Sequence, residues 1–113
     1  MKSKIVALSK SEEFKNLLNQ RKLSNKYVTI FFGKLINKNH KKLNISFVTK
    51  KKIGNAVRRN KIKRRLRNIM NDAVKKISIN LNYSFLVIAK SSMLNNEYKI
   101  IKETLFQDFE KIK

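Results

Sequence analysis

Lys50-Lys51-Lys52-Ile53-Gly54-Asn55-Ala56-Val57-Arg58-Arg59-Asn60-Lys61-Ile62-Lys63-Arg64-Arg65-Leu66-Arg67 is the stretch on which both fold and chemistry turn. Gly54 permits a positive φ or a close backbone approach. Asn55 suits a helix N-cap, because its side-chain oxygen accepts from an early backbone N–H. Together they predict a helix from about Ala56 to Lys76. Ile62, Leu66, Ile69, Met70, Ala73 and Ile77 recur at helical spacing and form its apolar stripe. At about 100° per residue, Asn60, Arg64, Arg67 and Asn71 fall close to the opposite face. Lys61 and Asn68 flank that row, Lys63 and Arg65 sit nearer the borders, and Arg59 is in the first turn. From Lys50 to Arg67, 10 of 18 residues are cationic and none is acidic, so this face carries one sign of charge.

Upstream, Leu43 to Thr49 alternates partly through Leu43, Ile45 and Phe47, and Tyr27 to Ile36 is β-branched, aromatic and apolar. Both read as strands, and the polar Asn37 to Lys42 between them reads as the loop of a hairpin. Lys50 to Ile53 leaves room for a further short strand. Ser9 and Glu12 fit a capping box for a helix from about Ser11 to Arg21 bearing Phe14, Leu17 and Leu18. Downstream, Asn80 to Tyr83 is a turn, and Phe85 to Ala89 is wholly apolar, as a central strand requires. Asn96 is expected to cap a last helix with the stripe Tyr98, Ile101, Leu105, Phe109 and Ile112. The order α-β-β-(β)-α-β-α predicts an α+β fold: a two-layer α/β sandwich with one mixed four-stranded sheet and helices packed on one face. With no internal repeat and no linker, residues 1–113 read as a single domain.

The net charge of +21 on 113 residues disfavours a compact free monomer through self-repulsion and calls for a polyanionic partner, nucleic acid before an anionic membrane surface. An apolar share of 42% is too high for a disordered basic tail. Richness in Lys, Asn and Ile is also what an AT-biased genome produces, so arginine is the sharper signal. Of 6 arginines, 5 fall between Arg58 and Arg67, where guanidinium forks can pair with phosphate. There is no cysteine for a disulfide or thiolate site. No signal-peptide h-region and no apolar run of about 18–20 residues is present, so the chain reads as soluble and cytoplasmic.

A rigid helix with such a face neutralises several phosphates at once, with a log–log salt slope of about −0.7 to −0.9 per phosphate. Its asparagines carry donors and acceptors for a 2′-hydroxyl or base edge. Strands, not a helix, precede it, which argues against a helix-turn-helix. His40 sits among lysines in the polar loop and reads as a surface residue. The acids Glu12, Glu13, Asp72, Glu97, Glu103, Asp108 and Glu110 form no two-metal motif. No Gly-rich phosphate loop is present. A protein nuclease site is therefore not visible, and the alternative reading is a ribosomal or other structural RNA-binding protein.

The run Lys51 to Arg67 closely resembles the signature of the bacterial ribonuclease P protein subunit family, Lys-Lys-x-Gly-x-Ala-Val-x-Arg-Asn-Arg-x-Lys-Arg followed two residues on by Arg. The resemblance extends over essentially the whole chain. It implies a left-handed βαβ crossover into the basic helix and contact with a catalytic RNA subunit through Lys51, Lys52, Arg58, Arg59, Asn60, Lys61, Lys63, Arg64 and Arg67. Lys61 stands where the family usually has Arg, which keeps charge but loses the bidentate fork. Lys50 stands where a small polar residue is usual. The resemblance further implies a cleft for the 5′ leader of precursor tRNA at Phe14, Leu18 and Phe31, with Leu18 in place of a common aromatic. It implies one protein per RNA, no small-molecule substrate, no membrane partner and no cofactor held tightly by the protein. Mg²⁺ is then required by the RNA–protein holoenzyme, with the chemistry in the RNA.

Overall fold

Tyr83–Ala89 is apolar on both faces, and a strand of that kind is stable only with cover above and below. It takes the middle of the sheet. The structure, a computed structural model, describes residues 5–7, 11–34 and 42–112. The strands are β1 (Ile5–Val6), β2 (Arg21–Ser24), β3 (Val28–Lys34), β4 (Leu43–Val48) and β5 (Tyr83–Ala89), and the helices are α1 (Ser11–Leu18), α2 (Ala56–Lys76) and α3 (Tyr98–Lys111). The sheet order is β1-β4-β5-β3-β2. β5 runs antiparallel to β3 and parallel to β4, so Phe85 lies between Phe32 and Ile45. The mixed α+β sandwich thus stands: four strands of four residues or more, with two-residue β1 at the edge.

Three local expectations differ. β3 and β4 do not form a hairpin; β5 inserts between them. Either pairing would bury the same apolar residues, so alternation alone does not choose. The hairpin is instead β2–β3, closed by Asn25, whose Oδ1 accepts from the N–H groups of Tyr27 at 2.7 Å and Val28 at 2.9 Å. β2 has one apolar residue in its sequence RKLS, as suits an exposed, charged edge strand. Lys51–Ile53 is a 3₁₀ turn, not a strand. Asn96 does not cap α3, which has Glu97 at that position; its amide donates to the Ser92 carbonyl at 2.7 Å and closes the 3₁₀ turn Ser91–Leu94. α1 ends at Leu18 rather than Arg21, because Arg21 already pairs in β2. The Ser9 cap, the His40 loop and the Phe14 side chain lie outside the described residues.

The pleat sends alternate residues to opposite faces. Ile30, Phe32, Ile45, Phe85 and Val87 meet Ile62, Leu66, Ile69 and Met70 of α2 and Ile101, Leu105 and Phe109 of α3 in the main core. Both predicted helix stripes face it, with Ile77 and Tyr98 half-buried at its edge. The other face carries Leu86 with Phe31, Val48 and Ile88, and here Leu17 of α1 packs. Helices on one face therefore holds for α2 and α3, while α1 sits on the opposite face.

Asn25 also ties the hairpin to α3, donating from Nδ2 to the buried Asp108 carboxylate at 2.6 Å. Asn25→Ala removes the acceptor of two backbone N–H groups and leaves the buried Asp108 carboxylate with only the longer contact to Lys111 at 3.8 Å. It is expected to lower unfolding free energy by about 2–3 kcal/mol, measured by denaturant titration.

Candidate nucleic-acid interface

The Asn55 side chain accepts from the Arg58 N–H at 3.0 Å and starts α2 where the sequence predicts. Gly54 has φ +156°, the positive φ that the sequence predicts, and a Cβ there would press on the Arg58 side chain, 2.9 Å from its Cδ. Buried Ile53 anchors the 3₁₀ turn and leaves Lys51 and Lys52 exposed. Arg58, Asn60, Lys61, Lys63, Arg64 and Arg67 are all exposed on α2. Arg59 is half-buried, and its Nε is buried without a hydrogen-bond partner among the described residues. The motif residues thus share one continuous surface, backed by the stripe through Ile62 and Leu66.

That surface is arranged against the stability of the free helix. The first turn of α2 has no acid, and Arg58 and Arg59 stand at the end that already carries partial positive charge. Cations there are unfavourable by some tenths of a kcal/mol each. A phosphate reverses the sign of every one of these terms and accepts from the open N–H groups as well.

Two residues of the segment stand apart from the cationic row. Val57 is 73% exposed, three and seven positions before Asn60 and Arg64, so an apolar side chain heads the basic row. The helical wheel held this signal. Arg65, by contrast, turns inward: Nη1 donates to the Met93 carbonyl at 3.1 Å, with a longer contact to that of Asn96 at 3.5 Å. One of the five clustered arginines is therefore structural. Arg65→Gln is expected to lower the melting temperature by a few degrees through loss of about 1 kcal/mol or more, with the salt slope of RNA binding unchanged.

Across the sheet, Phe31 is half-buried against Leu17, Leu86, Val48 and Ile88, and Leu18 is 48% exposed on α1. Lys22 is the register partner of Phe31. Lys90 donates from Nζ to the Ser24 hydroxyl at 2.9 Å and the Asn25 carbonyl at 2.6 Å. These residues form a second surface, separate from α2.

Asp72 is the one acid in α2, and it meets Lys102 of α3 at 2.6 Å. The hydrogen bond from Lys102 holds the Asp72 carboxyl below its usual value, and the same bond raises Lys102. A depressed carboxylate contributes stability above its unfolded pKa, and that contribution is lost as pH falls through the folded value. Melting temperature is therefore expected to fall on acidification below about pH 4, and Asp72→Asn to flatten that limb, in thermal melts from pH 2 to 7. Lys102 has the opposite sign: its contribution is full below the unfolded lysine value and is lost as pH rises through the folded one.

The family model described as Ribonuclease P matches residues 3–113. The chain belongs to this family. It is 34% identical over 102 residues to the ribonuclease P protein component of Carboxydothermus hydrogenoformans, covering 87% of this chain and 83% of that one. It is 36% identical over 107 residues to that of Fusobacterium nucleatum, covering 92% and 86%. The RNase P protein of Thermotoga maritima superposes with a TM-score of 0.80 over 96% of this chain and 98% of that one at 23% identity, a likeness of fold. That of Staphylococcus aureus gives 0.76 at 25% identity, over 94% and 93%. Ribonuclease P protein components are parts of a ribonucleoprotein endoribonuclease of tRNA processing, and the basic helix is where this chain's sequence signature lies. No helix among the described residues is long and apolar enough to cross a membrane.

Proposed function

We propose that the chain is the protein subunit of ribonuclease P and binds the catalytic RNA subunit through the exposed face of α2. The observation that carries this reading is the acid-free row Asn60, Lys61, Arg64 and Arg67, exposed on a helix whose other face is locked in the core. Arginines fork onto phosphates, Asn60 and Asn68 reach 2′-hydroxyls, and Val57 packs on ribose.

The 5′ leader of precursor tRNA lies on the second face, beside α1, where Phe31 stacks a base and Leu18 offers only an apolar wall; Phe14, whose side chain lies outside the described residues, is the further stacking residue that the family resemblance implies. Stacking is sequence-tolerant at about 1–3 kcal/mol per base, which suits leaders of varied sequence. One protein serves one RNA in the cytoplasm. The RNA carries out Mg²⁺-dependent hydrolysis that frees the mature tRNA 5′ end. The interface residues are lysines, arginines and amides rather than the carboxylates that Mg²⁺ favours, so they do not fit the ion. Their part is to offset phosphate repulsion between two RNAs and to fix the leader.

Reconstitution with a bacterial ribonuclease P RNA tests the reading. The protein is expected to accelerate precursor cleavage at low Mg²⁺. Equal rates with and without protein would refute it.

A further inference from the structure

Arg21 is the only arginine outside the segment Arg58–Arg67, and no role described above uses it. It lies in the exposed edge strand β2, yet its guanidinium is fixed. Its carbon stands 4.9 Å from the Phe32 ring centre and 5.4 Å from that of Tyr83, and Nη2 donates to the Tyr83 hydroxyl at 2.8 Å. The two rings meet at 5.7 Å and 59° and form its platform. Beside it opens a cavity of about 410 Å³ lined by Gln20, Arg21, Gly33, Lys34, Asn80, Asn82 and Tyr83. Among the described residues the lining has two cations, three amides, a phenol and no acid.

The cavity is built by local structure. Gly33 lines it without a side chain, and a Cβ there would stand 2.9 Å from the Gln20 Cγ. Asn80 Oδ1 accepts from the Asn82 N–H at 2.9 Å and fixes the turn before β5. Lys34 is the register partner of Tyr83. The turn follows the C-terminal end of α2, so the cavity lies away from Arg58–Asn60 by about the length of a 21-residue helix, roughly 30 Å at 1.5 Å per residue.

We propose that this cavity binds one unpaired nucleotide of an RNA strand, its phosphate on Arg21 and Lys34 and its base against the amides and the Tyr83 ring. Small-ligand sites start at about 300 Å³, so a single nucleotide fits. An ordered guanidinium loses little entropy on forming further hydrogen bonds. Arg21 has spent one of its N–H groups on Tyr83, and the others can fork onto phosphate. Paired bases hide the edges that amides would read, so an unpaired nucleotide is the occupant favoured over a duplex. The inference rests on the chain being an RNA-binding protein, but not on the α2 contact.

The test uses the full chain carrying Phe31→Ala, which removes the stack proposed for the leader, with a short unstructured oligoribonucleotide and a photoreactive residue at Asn82. Arg21→Gln with Lys34→Gln is expected to weaken oligonucleotide binding roughly tenfold or more, with the melting temperature lowered by no more than a few degrees through loss of the Tyr83 hydrogen bond and the ring contacts. Arg21→Lys keeps the charge without the fork and is expected to fall between. Crosslinking at Asn82 is run with ribonuclease P RNA alone and with precursor tRNA alone, and the RNA that crosslinks identifies the source of the nucleotide. Asn60→Ala with Arg64→Ala should lose the catalytic RNA yet keep the oligonucleotide, which separates this claim from the α2 reading. Unchanged oligonucleotide affinity in the double variant, or crosslinks to neither RNA, overturns the proposal.

Discussion

Replacing Asn60 and Arg64 together by alanine is expected to weaken binding to the ribonuclease P RNA by about 30- to 1,000-fold. A neutral hydrogen bond contributes roughly 0.5–1.5 kcal/mol and a charge-assisted one roughly 1.5–3, so losing both removes about 2–4 kcal/mol of affinity. Loss of one phosphate contact at Arg64 should also make the log–log salt slope shallower by about 0.7–0.9. Both side chains are exposed, so the melting temperature should stay within a degree or two of the parent. Binding curves at several salt concentrations, beside a thermal melt, measure both halves. A loss of affinity that tracks a loss of fold would place these residues in the scaffold instead.

The second large effect is on the fold. Phe85 is fully buried in the central strand, 5.2 Å from the Phe109 ring and 6.3 Å from that of Tyr83, both nearly edge-on. It joins the sheet to α3 at the point where the antiparallel and parallel halves meet. Phe85→Ala is expected to reduce stability by about 3–5 kcal/mol, a large share of the 5–15 kcal/mol typical of a domain. For a chain of this size that corresponds to a fall of roughly 15–30 °C in melting temperature, read by circular dichroism. Ribonuclease P RNA should recover part of it, because a ligand that binds only the folded state stabilises it by mass action. A fall of only a few degrees would mean that the core does not depend on this ring.

Much of this is legible in the sequence itself. The glycine, the Asn55 cap and the 3.6-residue stripe located α2 from Ala56 to Lys76, because a long amphipathic helix is specified by local chemistry. The apolar run at Phe85–Ala89 located the central strand for a similar reason. Strand partnership was not legible: whether Ile45 pairs with β3 or β5 leaves the buried set unchanged. β2 escaped notice because an edge strand needs only backbone partners, and RKLS offers almost no pattern. The inward turn of Arg65 depends on carbonyls 28 and 31 residues away, which no local window contains. The same holds for the Arg21 platform, assembled from β2, β3 and β5.

The exposed face of α2 against RNA is the central claim, and the chain's lack of cysteine allows a direct measurement. A single cysteine at Asn68, in the exposed row of α2, carries a tethered iron–EDTA group, and a second protein carries it at Glu110 on the exposed side of α3. Each is bound to ribonuclease P RNA and hydroxyl-radical cleavage of the RNA is mapped. The Asn68 probe is expected to cut a few confined positions, lost when Asn60 and Arg64 are also replaced, while the Glu110 probe leaves those positions uncut. Indistinguishable cleavage from the two sites would contradict the account.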